Sequence, residues 1–84
     1  MFNRIYYDSS NALVTATITI DEPLLVGGNA ECSCRLVVKG HDIDYDVTLV
    51  GIDQIQAFEN AVMVLHALEN KENLAFEAYT PTDR

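Results

Sequence analysis

Positive charge is scarce in this chain: five Lys and Arg stand against thirteen Asp and Glu, a net charge of -8 over 84 residues. Phosphate contacts need clustered Lys and Arg, so direct nucleic-acid binding is not expected. Long apolar runs are missing as well. None approaches the ~18 residues that a membrane span requires, and Met1-Phe2-Asn3-Arg4 has neither the apolar core nor the small-residue cleavage site of a secretion signal. Cysteine is confined to Cys32 and Cys34. On a strand, two residues separated by one hold their Cα atoms ~7 Å apart, the limit for bridging, so two free thiols are expected. These absences make a cytoplasmic location the default expectation, with no membrane contact.

What is present reads as one globular domain. Hydrophobic residues make up 49% of the chain and charged residues 21%, a balance that suits a packed core rather than disorder. The expectation is a single α+β domain over residues 1–79, with a loose polar tail over residues 80–84 that contains Pro81.

The chain is organised around the stretch Val50 to Glu69. Gly51 permits a sharp turn, Asp53 stands at an N-cap position, and Gln56 follows at capping-box spacing, from where it can reach back to the cap. At about 100° per residue, Ile55, Ala57, Phe58, Ala61, Val62, Val64, Leu65 and Leu68 fill half of a helical wheel. A stripe that wide needs a sheet or a groove to cover it. Asn70-Lys71-Glu72-Asn73 then weakens the pattern, and Leu74 to Tyr79 reads either as further helical turns or as a short segment packed on the sheet.

Strands occupy the first half. Phe2 to Asp8 is aromatic and β-branched and runs into the turn residues Asp8-Ser9-Ser10-Asn11. Ala12 to Ile20 alternates, with Val14, Ala16, Ile18 and Ile20 on one face and Leu13, Thr15, Thr17 and Thr19 on the other. Pro23 stops pairing. Leu24 to Asn29 then reads as a loop, in which Leu24, Leu25 and Val26 form either a flap over the core edge or an apolar contact for a partner. Ala30 to Lys39 and Asp42 to Val50 form a hairpin. A two-residue Gly40-His41 turn of type II′ pairs Val38 with Ile43, Leu36 with Tyr45, Cys34 with Val47 and Cys32 with Leu49 on the inner face. On the outer face the same register pairs Lys39 with Asp42, Val37 with Asp44, Arg35 with Asp46 and Ser33 with Thr48.

No constellation spells out a reaction. Cys32, Cys34, His41 and His66 are the only set from which zinc could be held, yet Cys32-Ser33-Cys34 lies on an extended strand rather than a knuckle, and small core hydrophobes is the better reading. Asp42-Ile43-Asp44-Tyr45-Asp46 lacks the Gly and the Glu that a calcium loop places at its sixth and twelfth positions. Neither histidine has a Ser, a Cys or paired carboxylates to work with. His41 reads as a turn residue and His66 as an exposed helical one. No catalytic residue, metal or cofactor is therefore expected. The row Asp42, Asp44 and Asp46 reads either as a salt-bridged solvent face or as an acidic face for a basic partner. An exposed Met63 leaves self-association through the helix open.

The segment Gly51-Ile52-Asp53-Gln54-Ile55-Gln56-Ala57, running from a strand into an apolar helix, resembles a family of small bacterial domains of unknown function. Their ending reads Gly-Val-Asp-x-Leu-Gln-Ala before a Leu-rich and Ala-rich helix, and they tend to carry a cysteine in the third strand, matched here by Cys32 or Cys34. The resemblance implies a strand, strand, strand, strand, helix order and no particular activity.

The expected fold is a four-stranded antiparallel meander with one long C-terminal helix across its inner face. The inner face would hold Val14, Ala16, Ile18, Ile20, Cys32, Cys34, Leu36, Val38, Ile43, Tyr45, Val47 and Leu49, with Ile55, Phe58, Val62, Leu65 and Leu68 from the helix. The expected function is stoichiometric inhibition of a basic protein, as by a toxin immunity protein or a phage-encoded antagonist, through Glu31, Asp42, Asp44, Asp46, Leu24, Leu25 and Val26. The alternative is an assembly module that self-associates, possible as a homodimer.

Overall fold

The structure, a computed structural model, describes residues 1–22, 24–26 and 29–76. The expected loose tail, and the second half of the segment Leu74 to Tyr79, lie outside the described residues. Among the described residues, six strands and one helix follow one another as β1 (Phe2–Tyr7), β2 (Leu13–Ile20), β3 (Leu24–Val26), β4 (Asn29–Lys39), β5 (Asp44–Gly51), α1 (Gln54–Lys71) and β6 (Ala75–Phe76). Strands β1, β2, β4 and β5 form the expected antiparallel meander, and α1 packs across one face of it as an α+β fold. Two short strands extend that plan. β6 pairs with the Tyr6–Tyr7 end of β1, so Ala75 and Phe76 return to the sheet and do not extend the helix.

β3 corrects the reading of Leu24 to Asn29 as a loop, since Leu24, Leu25 and Val26 pair with Glu31, Ala30 and Asn29. β2 pairs with β4 as far as Ile20 with Cys34, and the Asp21 amide still donates to Ser33 at 3.0 Å. By Leu24 the register has advanced by one residue, as one inserted residue produces. β2 and β3 are therefore successive parts of one arm of a long bent hairpin with β4.

The register of β4 with β5 also differs from the expectation, by two residues: Lys39 faces Asp44, Val38 faces Tyr45, Leu36 faces Val47, Cys34 faces Leu49 and Cys32 faces Gly51. The two-residue turn is His41-Asp42, closed by the Gly40 amide donating to the Ile43 carbonyl at 2.8 Å. Neither turn residue has positive φ, so the turn is not of the type that calls for glycine. Gly40 answers a different demand. A Cβ there would stand 2.8 Å from Val14 Cγ2 on the neighbouring strand. A shift of two residues leaves every side chain on its face, so the expected inner face survives the correction. Cys32, Cys34, Leu36, Val38 and Ile43 are buried, as are Val14, Ala16 and Ile18. Ile20, Tyr45, Val47 and Leu49 are half-buried at its margins.

The β1–β2 turn is pinned by Asp8, whose Oδ1 accepts from the amides of Ser10 and Ala12, both at 2.9 Å. At the start of α1, Asp53 Oδ1 accepts from the Gln56 amide at 2.7 Å. Gln56 Oε1 reaches one residue past the cap and accepts from the Ile52 amide at 2.8 Å, a close variant of the expected capping box. At the other end, Asn73 adopts φ 53° and the Leu74 amide donates back to the Glu69 carbonyl at 3.0 Å. A left-handed residue just past the last turn is the usual way of satisfying orphan carbonyls, and Asn tolerates that conformation.

The helix meets the sheet through a narrower stripe than the wheel suggests. Ala57, Ala61, Leu65 and Leu68 are buried, Phe58, Val62 and Val64 are half-buried, and Ile55, expected in the core, is 70% exposed. Two alanines let the helix lie close, and Gly51 makes the approach possible: a Cβ on Gly51 would stand 2.5 Å from the Ala57 amide nitrogen. Because that obstacle is backbone, Gly51→Ala should destabilise the fold by about 1–3 kcal/mol, the usual range for overpacking. Asp53→Ala should cost about 0.5–2 kcal/mol through loss of the cap. Urea denaturation of both variants checks the two values.

Candidate interaction surface

Where α1 sits decides which side chains become a surface. It packs against β5 and β4 and, to a lesser extent, β2. On the β5 side, Asn60 Nδ2 donates to the Val50 carbonyl at 2.8 Å. Near the end of the helix, Tyr45 donates to Glu72 at 3.1 Å and Lys71 donates to the Tyr45 hydroxyl at 3.2 Å. On the opposite flank, Gln54 donates to the Asp21 carbonyl at 3.3 Å.

A second tie on that flank runs to β1. Tyr6, fully buried on the inner face, donates its hydroxyl to Glu69 Oε2. Arg4 Nη1 lies 3.4 Å from the same oxygen, and His66 Nδ1 lies 3.0 Å from Glu69 Oε1. Burial pushes the Tyr6 hydroxyl up to about 12, and its bond to Glu69 adds to the rise. For Glu69, burial opposes the charge, but hydrogen bonds from Tyr6 and His66 and the charge of Arg4 hold its carboxyl below the ordinary range.

Between these two ties the flank of α1 facing β1 stands over an open trough. Phe58, Val62 and Leu65 form its wall, Phe2, Ala16 and Ile18 its floor, and Arg4 its polar side, around a hollow of about 230 Å³. Toward the N-terminal end of the helix it continues into a second hollow of about 310 Å³ among Phe2, Ile20, Gln54, Ile55 and Phe58. The Phe2 and Phe58 rings meet at 5.1 Å, tilted by 58°. Phe2 remains 52% exposed. An apolar concavity with a few polar groups at one side is the usual form of a recognition surface.

The residues expected to bind a partner lie elsewhere. Asp42 is exposed at the turn, with His41 Nε2 at 3.9 Å. Asp44 is paired with Lys39 at 2.5 Å, and Asp46 accepts from Arg35 Nε at 2.8 Å. The Arg35–Asp46 pair forms as expected but diagonally, because Arg35 directly faces Thr48. Lys39 takes Asp44 rather than Asp42, as the shifted register requires. Glu31 is exposed at the far end of β4, so it does not join the three aspartates in one patch. Leu24, Leu25 and Val26 have the backbone of β3, beside Glu31. Cys32 and Cys34 are free and buried, and burial pushes the Cys34 thiol up. Among the described residues no three of His, Cys, Asp and Glu converge as a metal ion would require.

No family model, curated protein or solved structure matches this chain. The resemblance therefore rests on Gly51 to Ala57 and the cysteine at Cys32 or Cys34 alone.

Sequence reasoning did not single out the trough or the Tyr6–Glu69 tie. The signal for the trough lay in the half-wheel of apolar residues, which exceeds the arc that one sheet contact buries. No comparable signal marks Tyr6, since pairing it with a residue 63 positions later depends on where the helix lands.

The tie contributes to the pH response at both ends of the range. Tyr6 has a raised folded pKa, so its contribution is whole below pH 10 and is lost as pH climbs toward about 12. Glu69 has a lowered one, so its contribution is present above its ordinary value of 4.5 and is lost as pH falls below that. Tyr6→Phe should cost about 1.5–3 kcal/mol at neutral pH, the worth of a hydrogen bond to a charged group. It should also flatten both limbs of a stability–pH profile measured by denaturant midpoints.

Proposed function

We propose that this chain is a small acidic protein-binding protein that acts in the cytoplasm by occupying a basic partner one to one, without catalysis of its own. A toxin immunity protein or a phage-encoded antagonist works in this way. The observation that carries the reading is the apolar trough beside α1, where aromatic and aliphatic side chains stand half-exposed in a concave strip of the sheet's inner face. Buried aromatic anchors supply most of the energy of protein interfaces. The surplus of carboxylates supports attraction of a cationic partner over distance. Since Asp44 and Asp46 already hold Lys39 and Arg35, they suit long-range steering better than close contact.

The division of labour can be measured with the partner captured from a host extract. Ile55→Glu alters a side chain that is 70% exposed and should weaken capture by about tenfold or more, chiefly through faster dissociation. Asp44→Asn with Asp46→Asn should slow association and reduce its dependence on salt while leaving dissociation nearly unchanged. Equal capture by Ile55→Glu and by the natural chain would count against the trough as the working surface.

A second reading, self-association, draws on Met63, which is 67% exposed beside Glu59 and Asn60 on the helix. Sedimentation showing a salt-insensitive dimer that Met63→Glu dissolves would favour it over the first.

A further inference from the structure

The inner face of the sheet is wider than the one helix laid on it. Strands lie ~4.8 Å apart and a helix is about 10 Å across, so one helix covers roughly two strands. Away from the β3 arm, the sheet runs β5, β4, β2, β1, β6. α1 takes β5 and β4 with part of β2, leaving a strip about one and a half strands wide, ~7 Å, above the Phe2 end of β1 and the near side of β2. That strip is not finished as a solvent face. Its floor is apolar, with Phe2, Ile18 and Ile20, and its wall is Phe58 and Val62. The outer face of β2 carries Thr15, Thr17 and Thr19, the pattern a strand shows where only water covers it.

Building on the reading of this chain as a protein-binding domain, we propose that the trough receives an amphipathic, cationic α-helix of the partner, which lies beside α1 and completes the helical layer. Side-by-side helices pack about 8–10 Å apart, so an incoming helix would fill the strip and overhang the edge of β1 slightly. The incoming helix would present apolar residues at i, i+3, i+4 and i+7 and Lys or Arg along its flanks. Charge decides the sign. Arg4, Arg35, Lys39 and Lys71 are engaged with Glu69, Asp46, Asp44 and Tyr45. Glu22, two residues beyond Ile20, and Glu59, next to Phe58, make no ion pair among the described residues. A second copy of the chain would bring a further charge of -8 to this strip, so a basic helix is the better complement.

The test uses the full chain and three labelled synthetic peptides of ~18 residues, long enough to fold on a surface. One is a Leu/Lys sequence patterned at helical period, one the same composition scrambled out of period, and one the patterned sequence with Glu for Lys. The patterned Leu/Lys peptide should bind about tenfold tighter than either control and gain helical circular dichroism. It should also shift the amide resonances of β1, the end of β2 and Phe58 to Val62. Ile55→Glu should weaken it by a similar factor while the thermal midpoint stays in place. Equal binding of the scrambled peptide, shifts centred on Asp44 and Asp46, or a trough already filled by a second copy in sedimentation would overturn the proposal. With the natural partner the two readings separate. If Ile55→Glu abolishes capture but the partner contributes a strand or loop, the helix proposal fails and the protein-binding reading stands. If Ile55→Glu leaves capture intact, both fail.

Discussion

The close contact between the corner at Gly51 and the first turns of α1 is the constraint on which the rest of this structure depends. With no side chain at Gly51 and only methyl groups at Ala57 and Ala61, the helix starts hard against the end of β5 and runs back over β5 and β4. Its starting point is held by Asp53 and Gln56, which satisfy amides that would otherwise lack partners. A helix placed so firmly at one side reaches β1 only near its own end, where Glu69 meets Tyr6, and leaves the Phe2 end of β1 uncovered. Close packing at one edge of the sheet and an open apolar trough at the other are consequences of the same placement.

The polar ties follow from it too. Tyr45 and Tyr6 rise from strands on either side of the helix and meet Glu72 and Glu69 near its end, so the last turns are held from both sides. Tyr6 is fully buried and needs a partner for its hydroxyl. Glu69 serves as that partner, and Arg4 and His66 offset the cost of placing its charge there. The half-open trough thus ends at a fully satisfied polar cluster. The trough therefore has one end fixed by hydrogen bonds and one exposed apolar length.

Much of the fold was legible in the residues. Alternation in Ala12 to Ile20 and Cys32 to Leu49 assigned inner and outer faces, and the Gly51, Asp53, Gln56 pattern marked where the helix begins. The errors have physical causes. Gly40 was read as a turn residue because glycine favours positive φ, whereas here it clears space for Val14, a contact across strands that no local pattern reveals. Leu24 to Val26 was read as a loop because Pro23 interrupts the run, yet the advance in register between Asp21 and Leu24 lets pairing resume. Ile55 was placed in the core because a wheel shows which residues share a side and not how far around that side the sheet reaches.

By itself the sequence determined the four strands of the meander and the helix, the faces of those strands and the excess of negative charge, since these depend on period, local capping and composition. Only the tertiary structure decided that the helix lies off-centre, that Tyr6 finds Glu69, and that Phe2, Ile20, Phe58 and Val62 line a trough rather than a closed core. Those outcomes depend on the fit of one helix, about 10 Å wide, to a sheet wider than it can cover. Width is a property of the assembled sheet, and no residue carries it alone.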